Sequence, residues 1–155
     1  MEKLDIEKSD EYIALARKAL EEENFTTALG YLEKALELHD NPEWHSFAGL
    51  CIAMERGDFL VGEHLCLGSI EYDGNNPDHY LNLGKVYLAA GKKRKALDIL
   101  REGMVRGGNE RILALLFEIG TRNPPVFRFL KRSHPFNKYL GMLLHRRALR
   151  RRGLP

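Results

Sequence analysis

The chain has little from which metal or thiol chemistry is built. Its two cysteines, Cys51 and Cys66, fall inside apolar-periodic segments, which suits free thiols in a reducing, cytoplasmic compartment better than a disulfide framework. Six histidines are scattered without H-x3-H or C-x2-C spacing, so neither a metal nor another cofactor is expected. No apolar run approaches the roughly 18 residues that cross a bilayer, and the charged opening MEKLDIEKSDEY lacks the apolar stretch of a signal peptide. Gly103, Gly107 and Gly108 close a helix rather than open one, the wrong polarity for cradling phosphate. Cys51 with His64 is the nearest approach to a nucleophile pair, and a buried structural thiol is the commoner reading of such a cysteine. No catalytic constellation emerges, so an enzyme is not expected.

Acidic residues also run out. Residues 1–78 hold 18 acids against 6 Lys or Arg, residues 79–120 hold 4 against 8, and residues 121–155 hold none against 10. The modest net charge of +2 is therefore the sum of a strongly acidic first half, at −12, and a last segment at +10. Fields of this kind govern solubility, association and choice of partner rather than fold. A head-to-tail homo-oligomer held by charge pairing is one expected consequence. The basic residues Lys131, Arg132, Lys138, Arg146, Arg147, Arg150, Arg151 and Arg152 suit three roles. They form a solvated helix face, a patch for anionic membrane or nucleic acid, or a docking surface for an acidic protein.

What the chain does have is a period. Ala28, Gly62 and Ala96 are spaced by 34 residues, and so are Ala35, Ser69 and Gly103. Small residues at fixed steps mark places where paired helices approach closely, so a bulky substitute there overpacks. In the clearest copy, Asn76 to Arg106, the residues Tyr80, Leu83, Gly84 and Tyr87 lie on one face of a helix that Gly91 ends. Ala96, Leu100 and Gly103 then line one face of the next helix. An earlier helix is expected from about Asp10, capped by Ser9, with Tyr12, Leu15, Ala16 and Ala19 inward. Asn24 makes its turn, and Phe25, Ala28, Leu32 and Ala35 build the partner helix.

This pattern resembles the tetratricopeptide repeat, a helix-turn-helix unit of about 34 residues with W-x2-L-G-x2-Y, then A-x3-F, then P. The resemblance implies an all-α, right-handed α-solenoid with C-terminal capping helices. Its parts are a polar segment 1–8, three units at about 9–42, 43–76 and 77–108, and a degenerate fourth unit with a basic capping helix over 109–155. The second unit departs from the pattern in its first helix. Strict spacing puts Ser46, Gly49, Leu50 and Ala53 inward, whereas a one-residue slide puts Phe47, Leu50, Cys51 and Met54 there. The slide is the expected register, because burying Phe and Met contributes about 1.5–3 kcal/mol each. Glu110 to about Arg122 reads as a fourth first helix, and Asn123-Pro124-Pro125 stops the pattern.

In repeats of this family the first helices line a concave groove that selects a protein or peptide ligand. Carried over by strict register, that face holds Ile13, Arg17, Trp44, Phe47, Ala48, Cys51, Asp78, Leu81, Asn82 and Lys85, and after the slide the second unit would instead place His45, Ala48, Gly49 and Ile52 there. Chaperone adaptors of the family grip a C-terminal carboxylate with a Lys, Asn, Asn, Lys, Arg set. The corresponding places here hold Ile13, Arg17, Ala48 or Gly49, Asp78 and Asn82, so that clamp is missing. The resemblance thus implies a non-catalytic interaction scaffold whose groove suits an amphipathic helix or an extended peptide. Its occupant is either a partner or the chain's own tail, which carries Phe127, Phe129 and Phe136.

Overall fold

A computed structural model describes residues 2–120. The helices below build a compact unit that ends at Phe117. They are α1 (Glu2–Glu21), α2 (Phe25–Leu38), α3 (His45–Arg56), α4 (Phe59–Tyr72), α5 (Pro77–Ala89), α6 (Lys93–Val105) and α7 (Glu110–Glu118), with a short 3-10 turn at Pro42–Trp44 before α3. No strand occurs among the described residues. Within this unit α1 packs on α2, α3 on α4 and α5 on α6, and the pairs join through α2 on α3 and α4 on α5. This is a tetratricopeptide-like solenoid.

The turns inside the three pairs repeat in chemistry as well as in spacing. The Asn24 side chain accepts a hydrogen bond from the Thr27 amide at the start of α2, and Asp58 does the same for the Val61 amide at the start of α4, both at 3.1 Å. Each satisfies an amide that the first helical turn leaves without a partner. One residue earlier the backbone turns left-handed, with φ of +54° at Glu23, +66° at Gly57 and +74° at Gly91. Glycine adopts that conformation freely, and Glu23 is the non-glycine exception. The third pair lacks the side-chain cap, because Lys92 stands where Asn24 and Asp58 do.

The small residues of the 34-residue series pack at the helix contacts. Ala28, Ala35, Ser69 and Ala96 are fully buried. A methyl group on Gly62 would lie 2.8 Å from the Gly49 carbonyl oxygen, and one on Gly49 equally close to that of Gly62, so α3 and α4 touch backbone to backbone. On α6, a methyl on Gly103 would lie 2.6 Å from Tyr80 Cβ.

Two expectations are corrected. First, α1 begins at Glu2, so residues 2–8 are not a separate segment and Ser9 does not cap a helix. No breaker lies between Glu2 and Glu21. Ser9 is buried within the helix, where its hydroxyl donates to the Ala35 carbonyl at 3.0 Å. Second, the slide in the second unit does not occur. Ser46, Gly49, Leu50 and Ala53 are buried, whereas Met54 is 45% exposed. The extra connecting residue is absorbed by the 3-10 turn, in which Asn41 caps Glu43 as Asn76 caps Asp78 directly at α5. The helix face therefore stays on the strict period.

Ser46 consequently stands at the step of Tyr12 and Tyr80 and is held by hydrogen bonds instead of ring packing. Its amide donates to Ser69 Oγ at 2.8 Å, and Ser69 Oγ donates to the Pro42 carbonyl at 2.8 Å. Beyond the third pair, α7 ends at Glu118, sooner than expected, and Gly120 has φ of +71°. Ile112 and Leu116 are buried on it, while Phe117 is 71% exposed.

Candidate functional site

The first helices α1, α3 and α5 stand at equivalent places in their pairs, and side chains from all three meet around a cleft of about 430 Å³. Its apolar lining comes from Leu20 on α1, Phe25 at the start of α2, Phe47 and Leu50 on α3, and Leu81 on α5. Its polar lining comes from Arg17, Glu21 and Glu23 on one side, and from Asp78, Asn82, Lys85 and Arg111 on the other. Arg17, Cys51 and Lys85 are related by the same 34-residue step. The outer two members are cations on the cleft wall, whereas the middle one is fully buried.

Of the residues assigned to a groove by register, Arg17, Phe47, Asp78, Leu81, Asn82 and Lys85 line this cleft. Trp44 stands beside it: the Arg17 guanidinium lies 4.7 Å from the Trp44 ring centre, and the Phe47 ring centre is 5.3 Å from that of Trp44. Ile13, Ala48 and Cys51 are core residues of the first two pairs instead. Besides its strict-period face, α3 buries Ala48 and Cys51 among the core residues of α1 and α2, and burial pushes the Cys51 thiol up to about 12 with help from the Glu55 charge. The basic residues from Lys131 to Arg152 lie outside the described residues.

Leu20, Glu23, Phe25, Leu50 and Arg111 also line the cleft and were not assigned to it from the sequence. Phe25 reads as an ordinary second-helix core residue, and Arg111 belongs to a helix beyond the last full pair. Its signal is charge complementarity. Asp78 accepts two hydrogen bonds from Arg111 Nη2, at 2.9 and 3.2 Å, and one from Asn109 Nδ2 at 3.1 Å. The Arg111 side of this pair is exposed to solvent, which screens the attraction, so it fixes geometry more than it stabilises. Arg17 and Lys85 have no ion pair among the described residues.

Behind the cleft wall is a buried polar network. Asn82 Nδ2 donates to Ser46 Oγ at 3.1 Å, and Ser46 Oγ lies 2.8 Å from His79 Nδ1. The Phe47 ring meets the His79 ring edge-on, with centres 6.5 Å apart. His79 is fully buried, and its Nε2 has no hydrogen-bond partner among the described residues. Burial pushes its pKa below the ordinary histidine value, against the upward pull of Asp73, Glu43 and Asp78.

A second constellation, between α4 and α5, is structural. Glu63 accepts from the Tyr87 hydroxyl at 2.9 Å and from Lys92 at 3.2 Å, with Lys95 at 3.7 Å. Burial raises the Glu63 pKa, but these hydrogen bonds and the two lysine charges outweigh it and leave the carboxyl below its ordinary value. Burial and the Glu63 carboxylate together push Tyr87 up to about 12. Among the described residues no cluster of three or more His, Cys, Asp or Glu is placed to hold a metal, and no helix is long and apolar enough to cross a membrane.

Residues 65–98, which run from within α4 through α5 into α6, match the tetratricopeptide repeat family model. No curated protein matches the chain. Among solved structures it is similar to the Arabidopsis OM64 tetratricopeptide domain, with 16% sequence identity and a TM-score of 0.60, over 77% of this chain and 99% of that one.

Proposed function

Because residues 65–98 match the tetratricopeptide repeat family model and the fold is similar to a tetratricopeptide domain, we propose that the chain is a non-catalytic adaptor of that kind whose cleft holds a peptide segment of a partner protein. The fold generally serves protein–protein interaction. The observation that carries the reading is the cleft itself, in which an apolar floor of Phe25, Phe47, Leu50 and Leu81 is edged by Arg17 and Lys85. Apolar anchoring with a few polar groups at the edge suits peptide recognition. The volume matches a few side chains of a ligand rather than a whole domain.

The test is a random-peptide display selection against the full chain, followed by chemical-shift mapping of the best peptide. Shifts should centre on Phe47, Leu81, Asn82 and Lys85, and Lys85→Glu should weaken or abolish binding with the fold intact. Shifts confined to the outer faces of α2, α4 and α6 would sink the reading. A selection that yields nothing, alongside loss of anionic-vesicle or nucleic-acid binding on changing Arg150, Arg151 and Arg152 to Ser, would transfer function to the basic tail.

A further inference from the structure

We propose that Ser46 and His79 form a proton-linked relay that sets which atom of the Asn82 amide faces the cleft. This rests on the cleft as the peptide site and names how that site is regulated. Asn82 lines the cleft and is otherwise buried. One N–H of its Nδ2 is committed to Ser46 Oγ, which leaves Oδ1 as the amide's acceptor for a ligand. A hydroxyl that accepts from Asn82 has its own proton to place, and the neighbour at 2.8 Å is His79 Nδ1. The chain therefore runs Asn82 N–H to Ser46 Oγ, then Ser46 O–H to His79 Nδ1, and the neutral imidazole carries its proton on Nε2. In this state the cleft offers an acceptor, suited to a backbone N–H of an extended peptide.

Uptake of one proton from solvent at Nδ1 reverses each bond. Imidazolium has only donors, so Nδ1–H now donates to Ser46 Oγ. The Ser46 hydroxyl proton must turn to Asn82, which meets it by rotating Oδ1 inward and Nδ2 into the cleft. The site becomes a donor, suited to a carbonyl or carboxylate oxygen. No atom other than the added proton is gained or lost.

Several groups surround the imidazole. The charges acting on it are Asp73 before α5, Glu43 in the 3-10 turn and Asp78 on α5. From α3 it meets Ser46 and Phe47. On α4, Ser69 and Cys66 contact Ser46, and burial pushes the Cys66 thiol up to about 12, so it stays neutral. Asp78 itself is hydrogen-bonded by Arg111 and Asn109.

The experiment is an NMR pH titration of the full, isotope-labelled chain, following the His79 imidazole nitrogens and the Asn82 side-chain amide, with far-UV circular dichroism in parallel. The expected result is a neutral His79 protonated on Nε2 and an Asn82 amide whose signals move with the His79 midpoint. Ser46→Ala should leave His79 titrating and uncouple Asn82. A stationary Asn82 amide, a neutral form protonated on Nδ1, or loss of helix before His79 takes up its proton overturns the relay. The wild-type titration decides even if Ser46→Ala fails to fold. A peptide from the display selection that uses an N–H at Asn82 should bind roughly tenfold more weakly below the midpoint, the effect of one mismatched hydrogen bond. If no peptide binds while the coupled titration is seen, the cleft reading fails and the relay stands. If peptides bind with no pH dependence and Asn82 does not move, the relay fails alone.

Discussion

Gly62 and Gly68 lie on the same helix, α4, and the same substitution at each should move stability in opposite directions. Alanine in place of glycine in a helix interior contributes about 0.5–1 kcal/mol through backbone entropy. A methyl on Gly68 meets nothing within 4 Å, so Gly68→Ala should show that gain undiminished. A methyl on Gly62 would lie 2.8 Å from the Gly49 carbonyl oxygen and 3.0 Å from Ala53 Cβ, where ordinary contact begins at 3.4 Å. Neither neighbour is the flexible end of a side chain, so α3 and α4 must move apart. Overpacking of this sort costs about 1–3 kcal/mol, and after the entropic gain a net loss of about 1–2 kcal/mol remains for Gly62→Ala. In a chain of this length 1 kcal/mol corresponds to roughly 4 °C in Tm. Thermal melting should thus place Gly62→Ala roughly 4–8 °C below the parent and Gly68→Ala a few degrees above it. A Gly62→Ala protein at least as stable as the parent would refute the backbone-to-backbone contact.

Glu23 holds a left-handed φ of +54° that Gly57 and Gly91 adopt at the same place in their pairs, so Glu23→Gly should raise stability by up to about 1 kcal/mol, read by urea unfolding; a loss would mean the turn depends on the Glu23 side chain. With both thiols buried and pushed up to about 12, Cys51 and Cys66 should resist a thiol reagent in the native chain and react as two free thiols once it is unfolded without reductant. Rapid native labelling of either would contradict the burial. The Glu63 carboxyl is depressed in the folded state, so its contribution is present above the ordinary glutamate pKa and is lost as pH falls through the lower folded value. Glu63→Gln should lower stability at neutral pH and flatten that part of the acid limb, and an unchanged limb would show that the Tyr87 and Lys92 contacts contribute nothing. Finally, an acidic half at −12 and a last segment at +10 should give weak self-association that fades with salt as the Debye length shortens from about 30 Å at 0.01 M to about 8 Å at 0.15 M. Sedimentation velocity at both salts checks this, and a monomer at both excludes it.

The period was legible in the sequence because close helix packing leaves a one-letter trace. Only a small residue fits where two helices touch, so Ala28, Gly62 and Ala96 report the repeat without any knowledge of tertiary contacts. The turns were legible for a similar reason, since a left-handed residue and a side-chain cap are local requirements met by Gly57, Asn24 and Asp58. With those alone the chain determines its helix pairs, their order and the identity of most core positions. Phe47 and Ser46 show what it does not determine. Apolar content favours burying Phe47, yet the buried residue is Ser46, because its amide, carbonyl and hydroxyl are all satisfied by Ser69, Cys66, His79 and Asn82. Those partners lie 20 to 36 residues away in sequence. A buried polar group is favourable only when its partners arrive from elsewhere in the fold, and no local pattern announces them. The cleft has the same origin. Leu20, Phe25 and Arg111 reach it from an inner helix end, a helix start and a helix beyond the third pair, so tertiary packing alone gathered them around one space.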